Sequence, residues 1–209
     1  MKNLWVLLAV TACLSGCGVL FKSGAPAATV YTPSPQVHAD TGTRLNSVLV
    51  VGAPEAGPGL DSDYLMVSLP GQRLDHLAGV RWSAPVPELL QAYWVHSLDS
   101  GGWRAVVSDR SAFAGTYLLQ TQIRSFTAVY RQQGQAPVIR VALHAQLGRA
   151  SDHLLLANID AVSEVQASAD RQTAIVQAFD AALAAASLEL GSKAYQACAA
   201  ADASKTPAG

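Results

Sequence analysis

Apolar and polar residues alternate most regularly in three long runs in the C-terminal half of the chain. Within residues 137–149, Ile139, Val141, Leu143, Ala145 and Leu147 share one face, while Arg140, His144 and Gln146 share the other. Within residues 153–167 the inward set is Leu155, Ala157, Ile159, Ala161 and Val165, set against Asn158, Asp160, Glu164 and Gln166. Residues 117–131 alternate through Leu119, Thr121 and Ile123 and then slip phase near Phe126, which predicts a bulge. A period of two with one apolar face predicts long antiparallel strands in a meander whose second face is wet.

Shorter signals precede these runs. Residues 47–51 read as a buried strand, and 64–68 and 73–77 as a hairpin around the turn dipeptide Pro70-Gly71. A helix is predicted to begin at 83–87, where Pro fits only the first turn, and to place Val86, Leu90, Tyr93, Trp94 and Ser97 on one face. Gly101-Gly102 stops it, and a strand follows over 103–107. A last helix over 170–190 carries Ile175, Phe179, Leu183, Ala186 and Leu190 as an apolar stripe. The expected fold class is α+β, an antiparallel sheet with two helices packed on one face.

The beginning of the chain carries a different pattern. Met1-Lys2-Asn3 is a short positive region, and an apolar run from Leu4 to Leu14 then leads into Ser15-Gly16-Cys17. A run of this length suits a signal-peptide core, whereas a spanning helix needs roughly 20 residues. Leu14-Ser15-Gly16-Cys17 matches the bacterial lipobox. Small residues before the cut let the backbone lie extended in the peptidase, and the Cys17 thiol takes the diacylglycerol. The expectation is therefore a signal peptide over 1–16 and an S-diacylglycerol, N-acyl (palmitate-type) cysteine at 17. Each buried acyl CH₂ contributes about 0.8 kcal/mol, so two or three chains hold the protein at a membrane without a spanning segment. No second apolar run is read as long enough to span. Gly18 stands where an Asp would favour retention in the inner membrane, so the outer membrane, periplasmic face, is expected.

Residues 17–43 have the Pro-, Gly- and Ser-rich composition of a tether, with a first strand beginning as early as 29. Residues 44–198 form the expected domain, and 199–209 a disordered tail. Loss of 1–16 removes Lys2 from the 14 basic residues, leaving 13 against 15 acidic ones, a formal charge of −2. That balance argues against nucleic acid, which calls for a basic stripe. Cys13 leaves with the signal and Cys17 is lipidated, so Cys198 has no partner for an intramolecular disulfide.

Candidate chemistry is sparse. The chain has no G-x-S-x-G elbow, P-loop, H-E-x-x-H or C-x-x-C, and no two of its five histidines have helical ligand spacing. Asp61 and Asp63 flank Ser62 in a Gly/Pro loop, where carboxylates are ordinarily solvated and a bound cation is the alternative. No metal, cofactor or catalytic residue is expected. Trp82, Tyr93, Trp94 and Trp103 cluster around the first helix. Core packing is one account of them. The other makes Trp82, Trp94 and Trp103 anchors for a partner protein, since aromatics dominate binding hot spots.

Several stretches carry a resemblance. Leu60-Asp61-Ser62-Asp63-Tyr64, Arg81-Trp82-Ser83-Ala84-Pro85 and Glu88-Leu89-Leu90-Gln91 are similar to the ABC-type transport auxiliary lipoproteins, which include the PqiC-like partners of MCE-domain transport systems. Tyr117-Leu118-Leu119 through Phe126 resembles that family's first long strand, and Leu154-Leu155-Leu156-Ala157 its last. The helix Ala174-Ile175-Val176-Gln177-Ala178-Phe179 resembles its closing helix. The similarity runs over about residues 29–195, and its sharpest piece is the R-W-x-x-P turn before a Leu-Leu helix.

The resemblance implies a non-catalytic component that docks a periplasmic MCE-domain protein at the outer membrane and, through it, an inner-membrane ABC permease and ATPase. Such systems move phospholipids or other hydrophobic molecules, and a homo-oligomer is implied for the docking unit. Two alternatives stay open: a periplasmic carrier that itself holds an acyl chain, and a hydrolase whose site is assembled from scattered residues.

Overall fold

β-branched and aliphatic residues in alternation build nine strands in a computed structural model that describes residues 27–36, 43–132 and 134–204. They are β1 (Thr29–Tyr31), β2 (Val48–Val51), β3 (Glu55–Ala56), β4 (Tyr64–Leu69), β5 (Arg73–Trp82), β6 (Ala105–Ser108), β7 (Tyr117–Val129), β8 (Val138–Arg149) and β9 (Leu155–Gln166). Helix α1 (Val86–Asp99) lies between β5 and β6, and α2 (Gln172–Ala203) closes the chain. The signal peptide, Cys17, His38 and residues 205–209 lie outside the described residues.

The sheet is mixed, which corrects the expectation of a purely antiparallel meander. That expectation holds for β7, β8 and β9, paired from Tyr117↔Arg149 to Val129↔Val138 and from Val138↔Gln166 to Gly148↔Leu155. Along its other edge β7 takes three short strands in succession, all parallel to it: β2 at Leu49–Val51, β3 at Glu55–Ala56 and β4 at Val67 and Ser68. β6 lies parallel to β2 on the far side, β5 is antiparallel to β4, and β1 adds a parallel edge to β5. Parallel neighbours need crossover connections, and a period of two does not record which partner a strand will find.

The bulge expected in β7 falls between Ile123 and Ser125, just before Phe126. A second shift, between Leu147 and Gly148 of β8, was not legible. Leu147 faces Ala157 but Gly148 faces Leu155, so Leu156 is the extra residue of β9. Because the side-chain period is two, that one residue turns Leu155 from the expected inner face to the open face. It is 50% exposed there.

Both helices cover the same face. α1 packs on β2, β3 and β6, and α2 on β7, β8 and β9. Pro87 and Glu88 occupy the first turn of α1, where a missing N–H is harmless and an acidic group suits the helix dipole. Gly102, with φ 91°, turns the chain out of the helix in a conformation that costs other residues more. The face predicted for α1 is the buried one, with Leu89, Gln91 and Leu98 added. α2 buries the predicted stripe and continues it through Ala194, Cys198 and Ala201, past position 199 where the sequence suggests a tail. Its length and composition would let it cross a bilayer, which corrects the reading that no such second run exists. In this fold it is the core helix, with 61% of its most apolar window buried.

Candidate functional site

The three tryptophans singled out from the sequence are all core residues. Trp82 ends β5 with its ring 5.4 Å from Phe126 of β7 and 5.2 Å from Phe179 of α2, and those two rings stand 4.9 Å apart. Trp94 donates its indole N–H to Ser187 Oγ at 2.9 Å, which ties α1 to α2. Trp103 meets Tyr195 edge-on at 5.7 Å. None exposes more than 2% of its surface, so the packing account fits Trp82, Trp94 and Trp103, and the expectation of partner anchors is corrected. An anchor needs a surface that a partner can reach.

Arg81, next to Trp82, points to the other side of the strand. Its Nη1 donates to both carboxylate oxygens of Asp63 at 2.9 Å, and its Nη2 to the Tyr64 hydroxyl at 3.1 Å. The guanidinium lies 4.3 Å above the Tyr64 ring. The Asp63 hydrogen bond, then that of Tyr64, raises the Arg81 pKa above its ordinary value. Backbone bonds complete the joint: Trp82 N–H to Asp63 O at 2.8 Å, Ser83 N–H to Tyr31 O at 2.9 Å, and Val86 N–H to Ser62 O at 3.0 Å. The D-S-D-Y and R-W-x-x-P stretches are thus two halves of one structural corner that aims α1. Asp63 is committed to Arg81, which leaves the loop without the paired carboxylates a cation would want.

The open face of the sheet carries cross-strand polar pairs. His144 Nδ1 lies 2.8 Å from Asp160 Oδ1, Arg124 Nη1 donates to the same oxygen at 3.2 Å, and Gln146 Nε2 reaches Asn158 at 3.3 Å. Arg140 pairs with Glu164. The His144 hydrogen bond is the main cause holding Asp160 below the usual carboxylate range. No hydroxyl or thiol is hydrogen-bonded to His144 among the described residues, so this pair is not arranged as a base with a nucleophile. Nor do the described residues hold a group of three or more His, Cys, Asp or Glu placed for a metal. Cys198 is buried within α2, and burial pushes its thiol up to about 12. It is neither a ready nucleophile nor accessible for pairing between molecules.

Asp180 of α2 is half-buried and poorly matched to its surroundings. Its Oδ1 is enclosed without a hydrogen-bond partner, and burial raises its pKa. A carboxyl raised on folding stabilises the fold only in acid, and that stability is lost as pH rises through its folded pKa. Asp180→Asn should therefore raise the melting temperature by a few degrees at pH 7. The gain should vanish below about pH 4, where both states are protonated. Thermal melts at the two pH values check this.

Two crevices flank α1. One, of about 790 Å³, is bounded by Pro33, Glu88, Tyr93, His96 and Arg110; the other, of about 260 Å³, lies between the helices beside Ser97, Leu98, Leu188 and Gly191. Both open at the surface, and Trp103 and Tyr195 line the second.

A family model of ABC-type transport auxiliary lipoprotein components matches residues 29–191, and the chain belongs to that family. No curated protein matches it by sequence. Among solved structures, protein XCC0632 from Xanthomonas campestris is 26% identical with a TM-score of 0.75, covering 86% of this chain and 100% of its own. An uncharacterized protein is 15% identical with a TM-score of 0.63, over 80% of this chain and 98% of its own. PelC of Paraburkholderia phytofirmans, solved as a dodecamer, overlaps more loosely, at 10% identity and a TM-score of 0.42 over 73% of this chain and 93% of its own.

Proposed function

We propose that this chain is a non-catalytic lipoprotein, anchored through Cys17 to the periplasmic face of the outer membrane. There it docks the periplasmic MCE-domain component of an ABC system that moves phospholipids or other hydrophobic molecules. The observation that carries the reading is the family match over residues 29–191 directly downstream of a lipobox ending at Cys17. The leash is short. β1 fixes the chain to the sheet from Thr29, so about eleven residues separate the anchor from the fold. Even fully extended, a stretch of that length reaches at most about 40 Å. The domain stays near its membrane, and a partner tube must come to it, with the domain standing as a symmetric homo-oligomer at the tube's end.

The test is co-purification of the MCE-domain protein of the same system with the full chain from detergent-solubilised envelopes. Retention is expected. The Cys17→Ala chain should take up no labelled palmitate and should leave the outer-membrane fraction. A folded chain that retains no MCE protein would end the docking reading and favour the carrier.

A further inference from the structure

The open face is polar along most of β7, β8 and β9. Gln120 faces Gln146, and Gln146 faces Asn158; Gln122 faces His144, and His144 faces Asp160. Val162, opposite Ala142, is an exposed apolar residue on this face, and at the Leu118 end a whole rung is apolar. Val50 of β2 is opposite Leu118, Leu118 is opposite Gly148, and Gly148 is opposite Leu155. The β9 bulge puts Leu155, and not Leu156, opposite Gly148.

Gly148 has no side chain between the two leucines, which leaves a slot of about 370 Å³ floored by Leu118, Gly148 and Leu155 and walled by Gln120, Gln146 and His153. The loop before β7 reaches the same face at Gly115, over Val50. A Cβ on Gly115 would stand 2.2 Å from Val50 Cγ2, so only glycine lets this loop lie so close to β2. The loop is pinned by Ser111 N–H to Ser108 O at 3.0 Å and Thr116 N–H to Val48 O at 2.8 Å. It carries Phe113, 75% exposed, and Leu154 at the β8–β9 turn is 49% exposed. Aromatic and aliphatic side chains held out at one end of a polar face, rimmed by the Arg149–Asp152 pair, mark an interaction site more than a random surface.

The placement of the chain's entry argues for the occupant. Residues 1–26 join the fold at Ala27, beside β5. By register that end is level with Ala128, through Thr29↔Val80, Tyr64↔Arg81 and Val67↔Ala128. The apolar rung is level with Leu118, about ten residues or roughly 30 Å further along β7. An anchor some eleven residues before Thr29, entering at the opposite end, sets the rung on the side away from the anchoring membrane.

We propose that this rung is the socket for the transport partner. An apolar side chain at the tip of the MCE-domain protein seats over Gly148 between Leu118 and Leu155, with Phe113 packed against its flank. The proposal rests on the docking reading above and adds the surface that performs it.

The test is photo-crosslinking in cells, with the full lipidated chain carrying benzoylphenylalanine at Phe113, at Leu155 or, at the other end, at Gln132. Adducts with the MCE-domain protein are expected from the first two positions and not from Gln132. Gly148→Leu should fill the slot, since its Cβ would meet only Leu154 O at 3.6 Å. It should weaken co-purification at least tenfold with the melting temperature unchanged. Leu155→Gln and Phe113→Ser, both on exposed side chains, should weaken it in the same direction. If the partner is retained but crosslinks only from Gln132, the socket is wrong and the docking reading stands. If the unaltered chain retains no partner, both fall. Adducts from Phe113 with a second copy of this chain, or with lipid, would overturn the proposal and reassign the surface.

Discussion

Leu143→Asp is expected to abolish cooperative folding, whereas His144→Asp should leave a folded domain that melts only a few degrees lower. Leu143 is buried in the middle strand of the meander, opposite Ile123 on one side and Ala161 on the other. A carboxylate there has no donor among its apolar neighbours. Burying an unpaired charge costs several kcal/mol, against a total stability of about 5–15. His144 points the other way. Replacing it removes the 2.8 Å contact with Asp160 and sets two carboxylates side by side on a solvated surface. Cross-strand pairs of this kind are worth about 0.2–1 kcal/mol. Circular dichroism melts of the two variants check the assignment, and equal losses would refute it.

Trp82→Ala should be the most damaging of the tryptophan truncations. The ring bridges β5, β7 and α2 through Phe126 and Phe179, three elements drawn from distant parts of the chain. Truncating a buried Trp typically costs about 3–5 kcal/mol, because the cavity collapses only partly. In a domain of this size that corresponds to a drop of roughly 10 °C. Urea unfolding should show a lower midpoint with little change in slope. A Trp82→Ala chain with an unaltered midpoint would refute the packing role assigned to the ring.

Different elements were legible to different degrees, and the reasons are physical. Residues 138–149 could be read almost to the residue, because β8 has antiparallel neighbours on both sides and one wet face. Val48–Val51 could be read as a strand but not placed, since Leu49 and Val51 would be buried beside a parallel or an antiparallel neighbour alike. β3 has only two residues and carries no period at all. Leu155 lies on the face opposite to the one its alternation predicts, because one extra residue in β9 inverts the alternation locally. The end of α2 was missed because Ala194, Cys198 and Ala201 keep the helical spacing without the large side chains that make a stripe visible.

The candidate site was less legible. Tryptophan has the same composition signal in a core as at an interface, and only the enclosing neighbours decide between them. The apolar rung could not be found in the sequence, because Val50, Leu118, Gly148 and Leu155 are brought together by register alone.

The three parallel strands along one edge of β7 also constrain the order in which this chain can fold. β2, β3 and β4 all precede β7, and Val50 must wait for Leu118 before it has that neighbour. β7, β8 and β9, by contrast, pair through short turns and receive α2 directly afterwards. Local pairings close faster than distant ones, because less chain entropy is lost at each step. The C-terminal half can therefore act as the nucleus on whose free edge the N-terminal half condenses. A chain emerging from its N-terminus presents the unpaired edges of β2 and β4 for the whole interval before β7 arrives. During that interval it depends on whatever keeps such edges from pairing with another chain.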